Sequence, residues 1–364
     1  MKTMKFLICL FLFAIVVVLL ASACMSLPRF GAKPKGERLA RMQQSPNYKD
    51  GAFHNLDTTP NFASKEEQAR IDSTYRSFIG CIGGDTIQPS RKPTEAIDTA
   101  KVNLKNLPKE GSFLVWFGHS SYLIQVEGVR ILVDPVFGSA SPVRFINKPV
   151  SGTEPYSAAD IPEVDFLIIT HDHYDHLDFT TCKTIREKVG TVICPLGVGA
   201  HLERWHYGKD QIVELDWWQT FTCGETSIHC LPQRHFSGRT LKRNPTLWAS
   251  FMVERSGKTV FLGGDGGYGT HFKQIGEKFP RIDYAVLENG QYNPRWAYIH
   301  TLPYQFEQLI ADLGVKKITM VHYGKYAESV HPWNEPDFVI KHLSKDSSLF
   351  FIQPVIGAMQ PLDL

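Results

Sequence analysis

The sequence predicts an α+β domain in which β-sheets are covered by helices, and two observations support this fold class. From Gly111 onward, short apolar runs bounded by Gly, Pro, Asn or Asp recur along the chain, as expected for strands. The first three runs follow one another closely, as in a β-meander, whereas later runs are interspersed with helical patterns. Hydrophobic residues form 43% and charged residues 21% of the 364 positions, which is an ordinary globular composition.

The chain begins with a segment typical of membrane targeting, which we assign to residues 1–23. Two lysines precede an uncharged apolar run, Phe6 to Ala23, that is long enough to cross a bilayer. The small residues before Cys24 suit signal-peptide cleavage or lipidation of the cysteine, and an uncleaved anchor is the third alternative. Each alternative places the protein at a membrane. Basic residues after the run favour a cytoplasmic body, whereas a signal peptide favours the exported, periplasmic or cell-envelope side, which we expect.

Residues 24–105 are predicted to form an N-terminal extension. They contain several prolines and little hydrophobic periodicity, and one short helix is predicted over 64–78. This segment shows no catalytic constellation, so we expect it to be a structural wrap or a membrane-proximal spacer.

Residues 106–364 carry the elements of the predicted domain. Strands are expected at 112–117, 121–126, 129–133, 164–170, 191–194, 211–215, 226–230, 248–254, 259–262 and 317–321. Helices are expected over 179–189, 200–205 and 304–313. The last of these has four apolar residues on one stripe and is followed by Gly314, which is typical of a helix end.

The nine residues from Thr170 to Asp178 hold the strongest functional signal in the chain. They read T-H-D-H-Y-D-H-L-D and follow an apolar run that is predicted as a buried strand. Imidazole and carboxylate are the ligands that borderline divalent metals such as zinc prefer, and a strand end concentrates them at one point. Two further ligands at fixed offsets distinguish this H-x-H-x-D-H pattern from a chance His-x-His pair. The pattern therefore predicts a metal site.

Three later candidates also follow predicted strands. His235 comes after the strand at 226–230, Asp265 lies among four glycines after the strand at 259–262, and His322 follows the strand at 317–321. Taken singly, His235 or His322 would more often be structural and Asp265 an ordinary turn residue. Because strand ends can converge on one edge of a sheet, we expect all three to join the H-x-H-x-D-H residues. Such a set suits two metals that share a carboxylate, since a single zinc hydrolase site needs about three protein ligands.

These motifs resemble those of the metallo-β-lactamase superfamily over about residues 107–364. Within it, the chain is most similar to the N-acyl-phosphatidylethanolamine phospholipase D group and its bacterial relatives. The supporting segments are W-F-G-H-S-S at 116–121, L-V-D-P at 132–135, Q-R-H-F-S-G-R at 233–239, G-D-G-G-Y at 264–268 and Q-Y-N-P-R-W at 291–296, with His300 and Pro303. The resemblance implies a metallo-β-lactamase-type αβ/βα four-layer sandwich as the hydrolase domain, residues 106–364.

The resemblance also implies a role for each candidate residue. One metal would be bound by His171, His173 and His235, the other by Asp175, His176 and His322, with Asp265 bridging the two. Asp134 would orient a ligand histidine, as metal-bound histidines normally require. Substrate contacts are expected from His119, Tyr292 and His300. The cofactors would be two divalent metal ions; Zn²⁺ is expected, although histidine and carboxylate also suit iron or manganese.

The function expected from this site is hydrolysis, in which a metal-bridging hydroxide attacks a phosphodiester, in the first place that of a phospholipid. Asp175 or Asp265 would take up a proton, and His300 would donate a hydrogen bond to the substrate. Two alternatives stay open: a lactonase acting on a small cyclic ester or sugar-phosphate lactone, and a non-catalytic, metal-stabilised membrane protein. Glu288 leaves the substrate open, because the phospholipase group more often has small or apolar residues in this segment.

Composition and motifs exclude several other classes. The net charge of +2, without a basic block, argues against a nucleic-acid binder. The seven cysteines show no C-x-x-C spacing, which argues against a zinc knuckle or a redox motif. No G-x-S-x-G pattern supplies a serine nucleophile. The expected partners are a phospholipid or another small-molecule ester and, through the N-terminus, a membrane; the oligomeric state stays open.

Overall fold

The computed structural model describes residues 27–60 and 62–364, so the predicted targeting segment at 1–23 lies outside the described residues. Within those two ranges, no helix is both long enough and apolar enough to cross a membrane. The helices are α1 (Gly36–Gln43), α2 (Lys65–Ile82), α3 (Phe179–Ile185), α4 (Gly199–Arg204), α5 (Thr270–Lys278), α6 (Phe306–Leu313) and α7 (Glu335–Leu343). The strands are β1 (Tyr48–Lys49), β2 (Ala52–Phe53), β3 (Phe113–Trp116), β4 (Tyr122–Val126), β5 (Val129–Val133), β6 (Val164–Ile168), β7 (Val189–Pro195), β8 (Ile212–Leu215), β9 (Thr220–Cys223), β10 (Thr226–Leu231), β11 (Ser250–Arg255), β12 (Lys258–Leu262), β13 (Tyr284–Glu288), β14 (Lys317–Val321), β15 (Phe350–Phe351) and β16 (Met359–Pro361).

The described part of the chain forms two seven-stranded sheets of matching design. The first has the order β16-β3-β4-β5-β6-β7-β8, with antiparallel neighbours up to β5 and parallel neighbours from β5 onward. The second has the order β9-β10-β11-β12-β13-β14-β15, with antiparallel pairing up to β12 and parallel pairing beyond it. Because parallel neighbours end at the same edge, each sheet brings several strand ends together.

Alternating side chains give the first sheet a core on both faces. In β6, Phe166 and Ile168 belong to the apolar cluster that the two sheets share, whereas Leu167 joins a second cluster with Cys182 of α3 and Leu202 of α4. Successive side chains of a strand point to opposite faces of the sheet, so β6 is buried on both faces. Helices α5 and α6 contribute to the cluster around the second sheet, so the predicted αβ/βα sandwich is confirmed.

The ten predicted strands are present in the structure, with ends that shift by one or two residues. The predicted helix over 179–189 is too long, because α3 ends at Ile185 and a 3₁₀ turn, Arg186–Lys188, follows it. Val189 already pairs with Val164 in the first sheet, and this strand pairing replaces the last helical turn. The sequence patterns did not predict the helices α1, α5 and α7 or the strands β1, β2, β9, β13, β15 and β16.

The N-terminal extension packs against the domain. Met42 and Phe53 belong to the main apolar cluster and are 1% and 0% exposed. Helix α2, which covers the predicted helix over 64–78, places Ile71 in a small cluster with Tyr292 and Leu302. Residues of the extension are therefore part of the core of the molecule, as expected of a structural wrap.

Candidate metal centre

The candidate residues lie together because each follows a strand whose end reaches the same edge. Asp134 follows β5 and His171 follows β6 in the first sheet, whereas Asp265 follows β12 and His322 follows β14 in the second. The close approach needs glycine near Asp265: a Cβ on Gly267 would lie 2.2 Å from the carbonyl oxygen of Tyr298. The local glycine pattern thus allows the backbone to bring Asp265 into the cluster.

The first position is formed by the imidazoles of His171, His173 and His235. The Nδ1 atom of His173 lies 2.8 Å from Nε2 of His171 and 3.3 Å from Nε2 of His235. His171 and His235 are each 1% exposed, whereas His173 is half-buried at the open side of the centre. The Nε2 atom of His235 also lies 3.9 Å from Oδ2 of Asp265. These nitrogens face one common point, as ligands of one ion would.

The second position is formed by Asp175, His176 and His322. The Nε2 atom of His176 lies 3.2 Å from Oδ2 of Asp175 and 3.1 Å from Oδ2 of Asp265. The Nε2 atom of His322 lies 3.6 Å and 3.1 Å from the same two oxygens. Oδ2 of Asp265 is therefore near ligand atoms of both positions, which is the placement that a bridging carboxylate needs.

The free donor and acceptor atoms of this cluster fit divalent cations. Among the described residues, Oδ1 of Asp265 and Nε2 of His322 are buried and have no hydrogen-bond partner, although Nε2 of His322 lies 3.1 Å from Oδ2 of Asp265. Buried polar atoms without partners are costly, so such atoms at a cluster of ligands call for an ion. The set of imidazoles and carboxylates suits the borderline and harder divalent metals.

Burial and mutual charge set the protonation of the cluster. Burial raises the pKa of Asp265, but His176 and His322 outweigh it and hold that pKa well below its usual value. The pKa of Asp175 is likewise held low, by His176 and His119 against the effect of burial. Burial keeps the pKa of His171 well below its usual value. Ionised carboxylates and a neutral His171 are the states in which these groups bind a cation. At His176 and His322, burial lowers the pKa, but the nearby carboxylates, Asp265 foremost, outweigh it and raise both pKa values well above the usual value. An ion bound at the second position would therefore displace a proton from each of these two rings.

Asp134 contacts candidate ligands of both positions, one directly and one through a hydroxyl. Its Oδ2 accepts hydrogen bonds from Nδ1 of His176 at 2.7 Å and from the hydroxyl of Thr170 at 2.6 Å. Its Oδ1 accepts from the backbone N–H of Thr170 at 2.8 Å. The Thr170 oxygen lies 3.0 Å from Nδ1 of His171 and can accept from it, since its own proton points to Asp134. Such contacts fix the orientation of ligand histidines.

His300 lies at the centre and is held by Glu288. Nδ1 of His300 donates to Oε2 of Glu288 at 3.0 Å, and the N–H of Thr301 donates to Oε1 at 2.7 Å. The His300 ring stacks on the ring of His322, with centroids 5.5 Å apart. Sequence reasoning treated Glu288 only as a departure from the phospholipase pattern, and because β13 was not predicted, no sequence signal marked Glu288 as a residue of the site.

Two residues that were predicted to contact the substrate are buried in the structure. His119 is fully buried, and its Nε2 lies 2.9 Å from Oδ2 of Asp175, so its side chain supports a candidate ligand. Tyr292 is also fully buried, with its ring stacked on His331 at 4.4 Å. It packs in a small apolar cluster with Ile71 of α2 and Leu302. The Q-Y-N-P motif therefore has a packing role at Tyr292.

The extension supplies a residue that sequence reasoning missed. The side-chain amide of Asn55 donates to the carbonyl oxygen of His235 at 2.8 Å, and its Oδ1 accepts from the N–H of His235 at 3.1 Å. The indole N–H of Trp248 donates to the same Oδ1 at 3.0 Å. Asn55 therefore fixes the backbone of one candidate ligand from a segment that is far away in sequence.

A groove of about 1100 Å³ opens beside the second position. Its lining includes the cations Arg91, Lys92 and Lys148, and Glu328. Oε2 of Glu328 is 4.0 Å from Nε2 of His119, so Glu328 lies between the groove and the candidate ligands. Burial and the neighbouring Asp175 raise the pKa of Glu328 well above its usual value.

Comparison with known proteins agrees with this geometry. The model of the β-lactamase superfamily domain matches residues 129–323, which include the candidate ligands. The chain belongs to the metallo-β-lactamase superfamily of hydrolases. An uncharacterized protein of Mycobacterium tuberculosis is 37% identical over 301 residues, which cover 81% of this chain and 78% of the mycobacterial one.

Two further members of the comparison bear on chemistry and fold. The N-acyl-phosphatidylethanolamine-hydrolyzing phospholipase D 1 of Caenorhabditis elegans is 31% identical over 232 residues, 60% of this chain and 65% of the nematode one. The structure of CmlA, a diiron β-hydroxylase from Streptomyces venezuelae, matches with a TM-score of 0.50 and 21% identity, over 71% of this chain and 55% of CmlA. The second similarity shows a common fold and nothing about the reaction.

Proposed function

We propose that this protein is a dinuclear, metal-dependent phosphodiesterase that acts on a phospholipid and is held at a membrane by its N-terminal segment, on the exported side. The observation that carries the substrate class is a groove lined by three cations and by Glu328, whose Oε2 lies 4.0 Å from Nε2 of His119, the residue that contacts Asp175. Its volume of about 1100 Å³ is at or above the upper end of the range for small-ligand sites, about 300–1,000 Å³. A large anionic diester fits it better than a small cyclic ester does.

The similarity to the nematode phospholipase D supports the same substrate class. The alternative of a lactonase acting on a small cyclic ester is not favoured by that similarity. The alternative of a non-catalytic protein is weakened by membership in a superfamily of hydrolases.

Each of the two ligand sets would bind one divalent ion, and we propose that both ions are Zn²⁺. His171, His173 and His235 would hold one ion, Asp175, His176 and His322 the other, and Asp265 would contact both. When bound, the ions would supply a water of lowered pKa and a counter-charge for the phosphoryl oxygens.

The remaining residues would bind and orient the substrate and take up a proton during hydrolysis. Because Glu288 accepts from Nδ1 of His300, the other ring nitrogen, Nε2, accepts a hydrogen bond when the ring is neutral and donates one to a substrate oxygen when the ring is protonated on both nitrogens. The side chain of Asp175 is 12% exposed and that of Asp265 is 3% exposed, so Asp175 is the carboxylate better placed to pass a proton to solvent. Lys92 and Lys148 in the groove would pair with the anionic headgroup.

The test is incubation of the full, metal-loaded chain with N-acyl-phosphatidylethanolamine, with phosphatidylethanolamine, and with a panel of lactones. We expect mass spectrometry to detect phosphatidic acid and the released alcohol from the phospholipids, and no ring opening of the lactones. Elemental analysis of the same preparation would identify the metal and its stoichiometry.

The matched variants are His235→Ala, which removes a candidate ligand, and His54→Ala, which removes an exposed histidine of the extension. We expect the first to abolish hydrolysis and the second to leave it unchanged. Unchanged lipids in the metal-loaded protein would refute the substrate proposal. Full activity of His235→Ala would refute the ligand assignment.

A further inference from the structure

Two loops beside the candidate metal centre carry exposed apolar side chains at their tips. The loop of residues 139–148, between β5 and β6, presents Phe145 with 76% and Ile146 with 51% of its surface exposed. The loop of residues 239–243, between β10 and β11, presents Leu241, which is 95% exposed. Single exposed apolar residues are common, but three at the tips of two neighbouring loops call for a partner.

Each apolar tip is flanked by cations. Arg144 and Lys148 enclose the first tip, and Lys242 and Arg243 follow the second; all four are exposed. The sequence contains no Asp or Glu over residues 137–149 or 236–247. The two loops therefore combine apolar residues with positive charges and carry no acidic residue, which suits an anionic, partly apolar surface.

Arg29 of the extension joins the two loops on one side of the molecule. Its Nη1 donates to the carbonyl oxygen of Pro142 at 2.5 Å, and its own carbonyl oxygen accepts from Nη2 of Arg239 at 2.6 Å. A depression of about 350 Å³ between the loops is lined by Arg29, Arg144 and Tyr174. Asp178 also lines it, but Oδ2 of Asp178 is engaged by the N–H and hydroxyl of Thr181, at 2.7 Å each.

The same face meets the candidate centre and the start of the described chain. The guanidinium of Arg243 lies 4.1 Å from the ring centroid of Phe236, and that centroid lies 4.4 Å from the centroid of His173. Leu27, the first described residue, is 45% exposed and stands two residues before Arg29. The apolar run Phe6 to Ala23 precedes it in the sequence. A membrane-inserted run would therefore bring these loops close to the bilayer.

We infer that the face made by residues 27–29, 139–148 and 239–243, the loop face, docks on an anionic phospholipid bilayer through its own side chains, in addition to any contact made by the N-terminal segment. Phe145, Ile146 and Leu241 enter the boundary between headgroups and acyl chains, and the flanking cations pair with lipid phosphates. Docking in this orientation turns the open side of the centre, at His173, toward the lipid. The inference concerns membrane contact and does not depend on the proposed hydrolysis.

The test measures the depth of single positions in the full chain on vesicles. An environment-sensitive fluorescent amino acid is placed at position 241, at position 145 or, as a control, at position 350 in separate proteins. Phe350 is an exposed apolar residue that pairs with Lys317 at the start of β14, whereas His322 of the centre follows the end of β14. Vesicles contain phosphatidylglycerol and phosphatidylcholine, with lipids brominated on the acyl chain as quenchers.

We expect strong quenching at 241 and 145 and little at 350, because interfacial groups lie roughly 5–10 Å deep. On phosphatidylglycerol vesicles, Lys242→Glu with Arg243→Glu should reduce the quenching at 241, because the equilibrium constant for docking should fall by roughly fivefold for each cation lost. Lys316→Glu with Lys345→Glu makes the same charge change at exposed positions near the start of β14 and should have no effect.

Equal quenching at 241 and 350 would overturn the inference, even if the N-terminal segment keeps the protein on the vesicle. Quenching at 241 that persists in the Lys242→Glu, Arg243→Glu protein would overturn the part assigned to charge. Neither readout uses hydrolysis, so a protein that docks but leaves phospholipids intact would refute only the proposed function.

Discussion

The two candidate metal positions share Asp265 but differ in the groups that hold their ligands. In the first, Nδ1 of His235 donates to the carbonyl oxygen of Ile299 at 2.8 Å, and His171 lies against the hydroxyl of Thr170. In the second, Asp175 contacts His119, and Asp134 accepts from a ligand histidine. The second position thus has one ligand histidine, His176, that donates directly to a supporting carboxylate, whereas Nδ1 of His322 lies 3.1 Å from the carbonyl oxygen of Gly290. The supporting contacts named for the first position are all to neutral groups. Because a carboxylate partner makes a ligand imidazole more basic, we expect the second position to bind its ion more tightly.

The largest expected effect is that of Asp265→Asn, which tests whether the two positions are linked. The change removes a charge that both positions share, so affinity should fall at both by more than roughly 100-fold, the upper range for outer contacts. Elemental analysis after dialysis measures the bound ions. A variant that retains two ions per chain would show that Asp265 does not bridge.

Asp134→Asn tests the charged support of the second position. The amide keeps the shape, but its NH₂ group can face Nδ1 of His176, which must then change tautomer. We expect ion affinity at the second position to fall by roughly 10–100-fold. Zinc titration by calorimetry measures this value; a loss confined to the first position would reverse the comparison.

Thr170→Val tests the neutral support of the first position. Valine keeps the volume but removes the hydroxyl between His171 and Asp134, a loss of hydrogen bonding that we expect to weaken the first position by roughly fivefold to tenfold. Thr170→Ser, which keeps the hydroxyl, is the matched control and should titrate like the parent. If both variants bind like the parent, the hydroxyl does not orient His171.

Asn55→Ala has the smallest expected effect on ion binding and shows how far the support of the first position extends. It leaves the N–H and carbonyl of His235 without their side-chain partner, which should lower the free energy of unfolding by about 1–3 kcal/mol. Urea denaturation measures this loss, and zinc titration should show a weaker first position only. An unchanged unfolding midpoint would show that Asn55 does not support the backbone of His235.

The sequence predicted the site best where its signals are local. His171 to His176 supply four candidates within six residues after one strand, so that no long-range contact is needed to group them. His235 and His322 could be placed because each follows a strong strand pattern. Tyr292 could not, since whether its side chain faces the centre or Ile71 depends on where α2 packs.

The elements that were missed depend on tertiary contacts. Strand β13 is short, and its pairing with β12 and β14 defines it better than its own pattern does. Its last residue, Glu288, gains a clear role only when His300 folds back onto it. Asn55 is separated from His235 by 180 residues, and no local pattern predicts that contact.

The candidate ligands come from both sheets: the group from His171 to His176 follows a strand of the first, whereas Asp265 and His322 follow strands of the second. An ion held by both groups would act as a cross-link between the two halves of the sandwich. Binding to the native state alone raises the free energy of unfolding by about 2.7 kcal/mol at a hundredfold excess over the dissociation constant. The thermal resistance of this protein should therefore follow the free ion concentration of its compartment, so that chelation would loosen the whole fold as well as stop catalysis.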